Sequence, residues 1–149
     1  MSSIATYTSA PSVSRSTGRG RFALIGLATV VAAVLANVLF YYIGNVFVTY
    51  KPDFVILANL GGTITMTAAA GIIAVLVYAA LLRFSNNPVR VYAIVAAVVL
   101  VVSIIPDFTM IPSEAGASTG QAVILALMHV VAAAVIVPML TTLARPETR

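Results

Sequence analysis

The chain has no cysteine, one histidine and four acidic residues among 149. Without cysteine there is no disulfide framework, no thiol–disulfide chemistry, no cysteine nucleophile and no thiolate metal site. Charge is also scarce. Asp, Glu, Lys and Arg together make up 8% of the residues, against roughly a quarter in a soluble domain. Apolar residues make up 61%, and the mean hydropathy is +1.09. A chain so apolar either aggregates or uses lipid as its solvent. Its length allows one compact domain. The net charge of +4 is not a nucleic-acid signal, because the positive charges flank apolar runs, where insertion bias and anionic headgroups explain them.

Four of those runs are long enough to cross a bilayer core of about 30 Å, which needs about 20 apolar residues. They cover roughly residues 22–43, 61–82, 89–105 and 119–143. Residues 1–21, rich in Ser, Thr and Gly, predict a disordered cytoplasmic tail, and residues 144–149 a second, short one. The first run could be a signal peptide, with Val34-Leu35-Ala36 as its cleavage site. Its apolar stretch continues through Tyr42, longer than the usual h-region, and favours an uncleaved anchor. Between the first two runs, Val46 to Tyr50 is β-branched and aromatic, followed by the turn Lys51-Pro52-Asp53. That segment is either a short extended hairpin on the outer surface or an irregular amphipathic loop. Pro106 and Asp107 end the third run. Pro138 interrupts the fourth, as membrane helices tolerate.

Orientation follows from counting basic residues. Arg15, Arg19, Arg21, Arg83, Arg90, Arg145 and Arg149 lie on one side of the four runs, and Lys51 alone on the other. The positive-inside rule then puts both termini in the cytoplasm. Short connections predict an all-α, antiparallel transmembrane four-helix bundle. Tyr41, Tyr42 and Tyr50 fit an aromatic belt at the outer interface, and Phe84 and Tyr92 one at the inner interface.

Each run carries small and polar residues at spacings of three and four, which fall on one helix face. In the first they are Gly26, Val30, Ala33, Asn37 and Tyr41, and in the second Thr63, Thr67, Ala70, Ala74 and Tyr78. The third has Tyr92, Ala96, Val99 and Ser103, and the fourth Ala122, Ala126, His129 and Ala133. Such faces let helices approach closely in lipid and are expected to point inward, with the large aliphatic residues outward. Asn37, Thr67, Ser103 and His129 fall about 4–8 Å outward of the span centres at 1.5 Å per residue. They predict a polar layer across the outer half, with Asp107 and Gln121 at its mouth.

His129 is the readily titratable side chain deep in a span, and such a residue is by default a functional hypothesis. Three readings compete: a neutral imidazole bonded to Asn37, Thr67 or Ser103 that holds helices together; a pocket for a small amphipathic ligand such as a quinone or a lipid headgroup; and a proton relay or haem ligand. One histidine without a carboxylate beside it makes a poor metal site. Asp107 reads as a helix-end residue. No catalytic set assembles: there is no nucleophile elbow around Ser103, no pair of deep carboxylates and no Arg ladder. The Gly61-Gly62 pair lacks the Lys and Ser/Thr of a phosphate loop.

Ser103-Ile104-Ile105-Pro106 at the end of the third run, with Met128-His129 and Pro138 in the fourth, resembles a family of small bacterial four-helix membrane proteins catalogued only as a domain of unknown function. The resemblance covers roughly residues 20–145. It implies a bacterial plasma-membrane location and a four-helix bundle, and no activity. The expectation is therefore a non-enzymatic membrane subunit or interaction partner with no cofactor. Its partners would be the lipid bilayer and either a second copy or another membrane protein, with no nucleic acid. The alternative is a binding or transport module for a quinone-like or lipid-like molecule, with its pocket around His129.

Overall fold

The computed structural model describes residues 16–144. They form five α-helices: α1 (Ser16–Phe47), the single turn α2 (Val55–Ala58), α3 (Leu60–Phe84), α4 (Pro88–Thr109) and α5 (Thr119–Pro138). A 3₁₀ turn (Ile111–Ser113) follows α4, and a π-helical turn (Met139–Leu143) extends α5. Four helical stretches are long and apolar enough to cross a membrane: Gly18–Phe47, Leu60–Phe84, Pro88–Ser113 and Thr119–Leu143. A 25-residue helix spans about 38 Å, more than the hydrocarbon core requires. The chain is a multi-pass membrane protein.

Side-chain caps set where three helices begin. Asn59 accepts from the Gly62 amide at 3.1 Å and starts α3. Asn87 accepts from the Arg90 amide at 3.4 Å, with Pro88 in the first turn of α4, where its missing N–H costs nothing. Ser118 accepts from the Gln121 amide at 3.3 Å and starts α5. Each cap satisfies an amide that the helix leaves without an internal partner.

Several expectations are corrected. Helix α1 starts at Ser16, so residues 16–21 of the expected tail are helical; residues 1–15 and 145–149 lie outside the described region. Helix α4 does not stop at Pro106 and runs on to Thr109. The missing proline N–H removes one helical bond, and the ladder resumes with Met110 N–H donating to Pro106 O at 2.9 Å. No strand forms among the described residues, so the outer hairpin is absent. The segment after α1 turns at Pro52-Asp53 and makes the single turn α2, because Phe54 and Leu57 have an apolar cluster to enter. Side chains hold it there: Tyr41 Oη donates to Leu57 O at 3.0 Å, and Tyr50 Oη donates to Tyr41 O at 2.9 Å. Gly116, at φ +72°, lies against Asp53 and Phe54 where a Cβ would sit 2.9 Å from the Phe54 amide nitrogen. Only glycine takes that backbone conformation without strain.

Helix α1 packs along both α3 and α5, α5 also packs along α4, and α3 meets α4 over a smaller surface. Glycines make the closest approaches. Gly26 faces Val75, and Gly71 faces Val30. The buried face of α3 is therefore Thr63, Thr67, Gly71 and Tyr78, whereas Ala70, expected inside, is exposed. Val99 on α4 is likewise exposed. Helix α5 is the most enclosed span and buries Ile124, Leu125, Ile136 and, just beyond it, Leu140, so its aliphatic residues do not all face outward. Two apolar clusters result, one around Phe54, Leu57, Ile111 and Leu125, the other around Ala33, Tyr78, Tyr92 and Ile136. Tyr92 lies inside the second cluster, with its ring edge-on to Tyr78 at 4.9 Å.

Candidate functional site

Four of the six polar residues singled out from the sequence pair across helices, Asn37 with Thr67 and Asp107 with His129. Gln121 bonds to the Ser118 cap of α5, and Ser103 joins none of these contacts among the described residues.

The first pair joins α1 to α3. Asn37 Nδ2 donates to Thr67 Oγ1 at 2.9 Å, with both residues buried. The glycine contacts explain why these side chains can reach each other. Gly71 lies one turn from Thr67 and lets Val30 approach, which brings the two backbones together beside the bond, and Gly26 against Val75 continues that close approach one turn further along. Asn37 Oδ1 is buried without a hydrogen-bond partner. Thr29, a buried residue on the same helix that periodicity did not single out, returns its hydroxyl to Ile25 O at 2.8 Å. That bond makes it self-sufficient in an apolar interface.

The second pair joins α4 to α5. His129 Nδ1 lies 3.2 Å from Asp107 Oδ2 and 2.9 Å from Leu125 O, one turn back on its own helix. A carbonyl oxygen can only accept, so the short contact to Leu125 assigns the hydrogen to Nδ1. That N–H is directed at the carbonyl. The carboxylate oxygen lies to one side of it and receives no well-aligned hydrogen bond, although it is buried. The Asp107 side chain is 7% exposed and that of His129 40%. With Nδ1 held between two oxygens, the exposed part of the ring is the opposite edge, which carries Nε2.

Asp107 is a buried residue in the last turn of α4, against the histidine. The continuation of α4 through Pro106 is the cause. It carries Asp107 one turn beyond Ser103 on the same face.

Gln121 is also fully enclosed. Its Oε1 accepts from Ser118 Oγ at 2.9 Å, and its Nε2 is buried without a partner. It belongs to the start of α5, two turns from His129. Ser103 is half-buried and makes no side-chain hydrogen bond among the described residues. A groove of about 370 Å³ runs along α4 and is lined by Val101, Ile104, Ile105, Phe108 and Thr109. Its walls include none of the six residues. No third His, Cys, Asp or Glu joins the Asp107–His129 pair among the described residues.

Over residues 17–146 the chain matches a family of unknown function, DUF6069, and it belongs to that family. No curated protein and no solved structure matches it.

Proposed function

We propose that the protein is a non-enzymatic membrane subunit of the bacterial plasma membrane. In this reading it is an antiparallel four-helix bundle with both termini cytoplasmic, and it acts by presenting a fixed helix arrangement to lipid and to a membrane partner or a second copy. The observation that carries the reading is the division of the polar residues into two interhelical clamps, Asn37–Thr67 between α1 and α3 and Asp107–His129 between α4 and α5. A polar contact of this kind sets which helix faces meet, since lipid gives no hydrophobic preference among apolar faces. The orientation is supported by the ring contacts of Tyr78 with Phe22 and with Tyr92, which gather the helix ends bearing Arg21, Arg83 and Arg90 at the end away from Lys51. That asymmetry satisfies the positive-inside rule.

Because the chain has no native cysteine, single cysteines at Ser85 and Ser113 report topology cleanly. An impermeant thiol reagent added to intact cells is expected to label Ser113→Cys and spare Ser85→Cys. Equal labelling would overturn the four-span arrangement.

A second reading has its own support. Asn37 Oδ1, Asp107 Oδ2 and Gln121 Nε2 are buried polar atoms without hydrogen-bond partners, and such atoms usually meet a water or a ligand. A lipid-like amphiphile with an O–H or N–H donor would satisfy the carboxylate oxygen beside His129, whereas a quinone carbonyl, which can only accept, would suit the Gln121 Nε2 donor. Wild-type and His129→Ala protein purified in native-lipid nanodiscs separate the two readings. The clamp reading expects a lower thermal midpoint in the variant and the same bound molecules by mass spectrometry. Loss of a specific co-purified molecule at unchanged stability would replace it with the binding reading.

A further inference from the structure

We infer that Asp107 and His129 form an intramembrane proton-binding site. The inference concerns the same two side chains as one of the clamps but stands independently of the clamp reading, because it is tested by protonation and not by stability.

Charge balance comes first. With Nδ1 protonated and Nε2 bare, the imidazole is neutral, and an ionised Asp107 would leave the pair with one net negative charge inside a membrane helix. A lone charge there is expensive. No other charged or titratable group relieves it. Tyr41 on α1 commits its hydroxyl to Leu57 O, and Tyr50 in the segment after it commits its own to Tyr41 O. From α3, the Thr63 and Thr67 face carries no ionisable group, and Tyr78 belongs to the other apolar cluster. On α4, Tyr92 also belongs to that cluster. On α5 the titratable side chain is His129 itself, and Lys51, Asp53 and Glu114 in the connecting segments are exposed. One additional proton makes the pair neutral overall.

The geometry gives that proton two places to sit. It adds to the lone pair of Nε2 on the exposed edge of the ring and forms an N–H bond, so that an imidazolium faces a carboxylate. The Nδ1 proton can then leave for Asp107 Oδ2, 3.2 Å away. That step breaks Nδ1–H, forms O–H, and leaves a neutral imidazole protonated at Nε2 beside a neutral carboxylic acid. The step exchanges the hydrogen bond to Leu125 O for one to the carboxylate, and both oxygens already lie within 3.2 Å of Nδ1. The buried oxygen without a hydrogen bond is thereby the acceptor for the transferred proton. Proton entry on one ring nitrogen and exit on the other is the elementary step of a histidine relay.

A single histidine makes the test direct. Protein labelled with ¹⁵N-histidine is placed in nanodiscs, and the two ring nitrogens are followed by NMR as the pH is varied. The carboxyl stretch of Asp107 is followed in parallel by infrared difference spectroscopy against Asp107→Asn. The expected result is one proton taken up by the pair, seen at the ring nitrogens and the carboxyl group over the same pH interval. Asp107→Asn should shift the histidine midpoint by at least one pH unit, a tenfold change in proton affinity. Two outcomes overturn the inference: ring resonances that do not respond to pH in the wild type, or the same midpoint with and without the Asp107 carboxylate. The first needs no variant and does not depend on whether Asp107→Asn folds.

Discussion

The contact between α1 and α3 and that between α4 and α5 solve the same problem with different chemistry. Both hold two membrane helices together through one polar pair. The α1–α3 pair is an amide and a hydroxyl, neutral at every accessible pH, buried, and followed along the same interface by glycine contacts on α1 and α3. The α4–α5 pair is a carboxylate and an imidazole, with one ring edge exposed and one carboxylate oxygen left without a good donor. The neutral pair suits permanent packing. The ionisable pair changes its charge when it gains or loses a proton, so the strength of its contact depends on its surroundings. With the proton binding proposed above, one helix interface stays fixed and the other responds.

The largest effect expected from breaking the fixed side is steric. A Cβ on Gly71 would meet Val30 Cγ2 at 3.2 Å, and a leucine there would have to push α1 and α3 apart. Overpacking of this kind typically costs about 1–3 kcal/mol. Gly71→Leu should therefore lower the thermal midpoint in nanodiscs by several degrees. Gly20→Ala, with nothing within 4 Å of the added carbon, should leave it unchanged. Equal behaviour of the two variants would mean that α1 and α3 do not depend on close approach.

A smaller effect is expected at the hydrogen bond itself. Hydrogen bonds between membrane helices average about 0.6 kcal/mol and reach about 1.7 kcal/mol. Asn37→Leu and Thr67→Val should each cost an amount in that range. The double variant should cost less than their sum, because the bond is lost only once. The coupling should be the same at acidic and neutral pH. Additive effects would show that the two side chains do not act together, and a pH-dependent coupling would remove the contrast with α4–α5.

The fixed side was largely legible in the sequence and the responsive side only in part. Gly26, Asn37 and Thr67 announced themselves as small or polar residues at helical spacing in an apolar run. The register of α3 between Thr67 and Tyr78 was not, because Ala70 and Gly71 are both small and both compatible with the spacing. Which of them meets Val30 depends on how α1 lies across α3, and that is a property of two helices together. Asp107 was read one turn beyond Ser103, where it lies, but the helix was expected to end before it. Proline read as a terminator is sound for soluble helices, but in α4 the ladder resumes after Pro106 and carries Asp107 onto the face of Ser103. His129 could be picked out, since an ionisable residue in a span is conspicuous; its partner could not. The outer segment failed as a hairpin because β-branched residues from Val46 to Tyr50 suggested extended pairing, whereas Phe54 and Leu57 gain more by entering the cluster beneath Tyr41.

The smallest effect lies outside both contacts and decides how cleanly they can be compared. Tyr50 ties the segment after α1 to Tyr41 O. Burial, and secondarily the neighbouring Tyr41, push its phenol from 10.0 up to about 12. The sign follows from the raised value: the folded protein favours the protonated phenol, so its contribution is fully present below pH about 10 and is lost as the pH rises through about 12. The wild type should lose stability over that alkaline interval. Tyr50→Phe should lose less there, after a cost at neutral pH of about 0.5–1.5 kcal/mol for the missing hydrogen bond. A thermal midpoint measured against pH for both proteins tests this, and parallel curves through the alkaline interval would show that the Tyr50 hydrogen bond is not made. If the expectation holds, Tyr50 is silent between pH about 5 and about 9, the interval in which an imidazole is the side chain most apt to titrate. A pH effect on packing in that interval then belongs to α4 and α5, where a buried carboxylate faces the chain's single histidine.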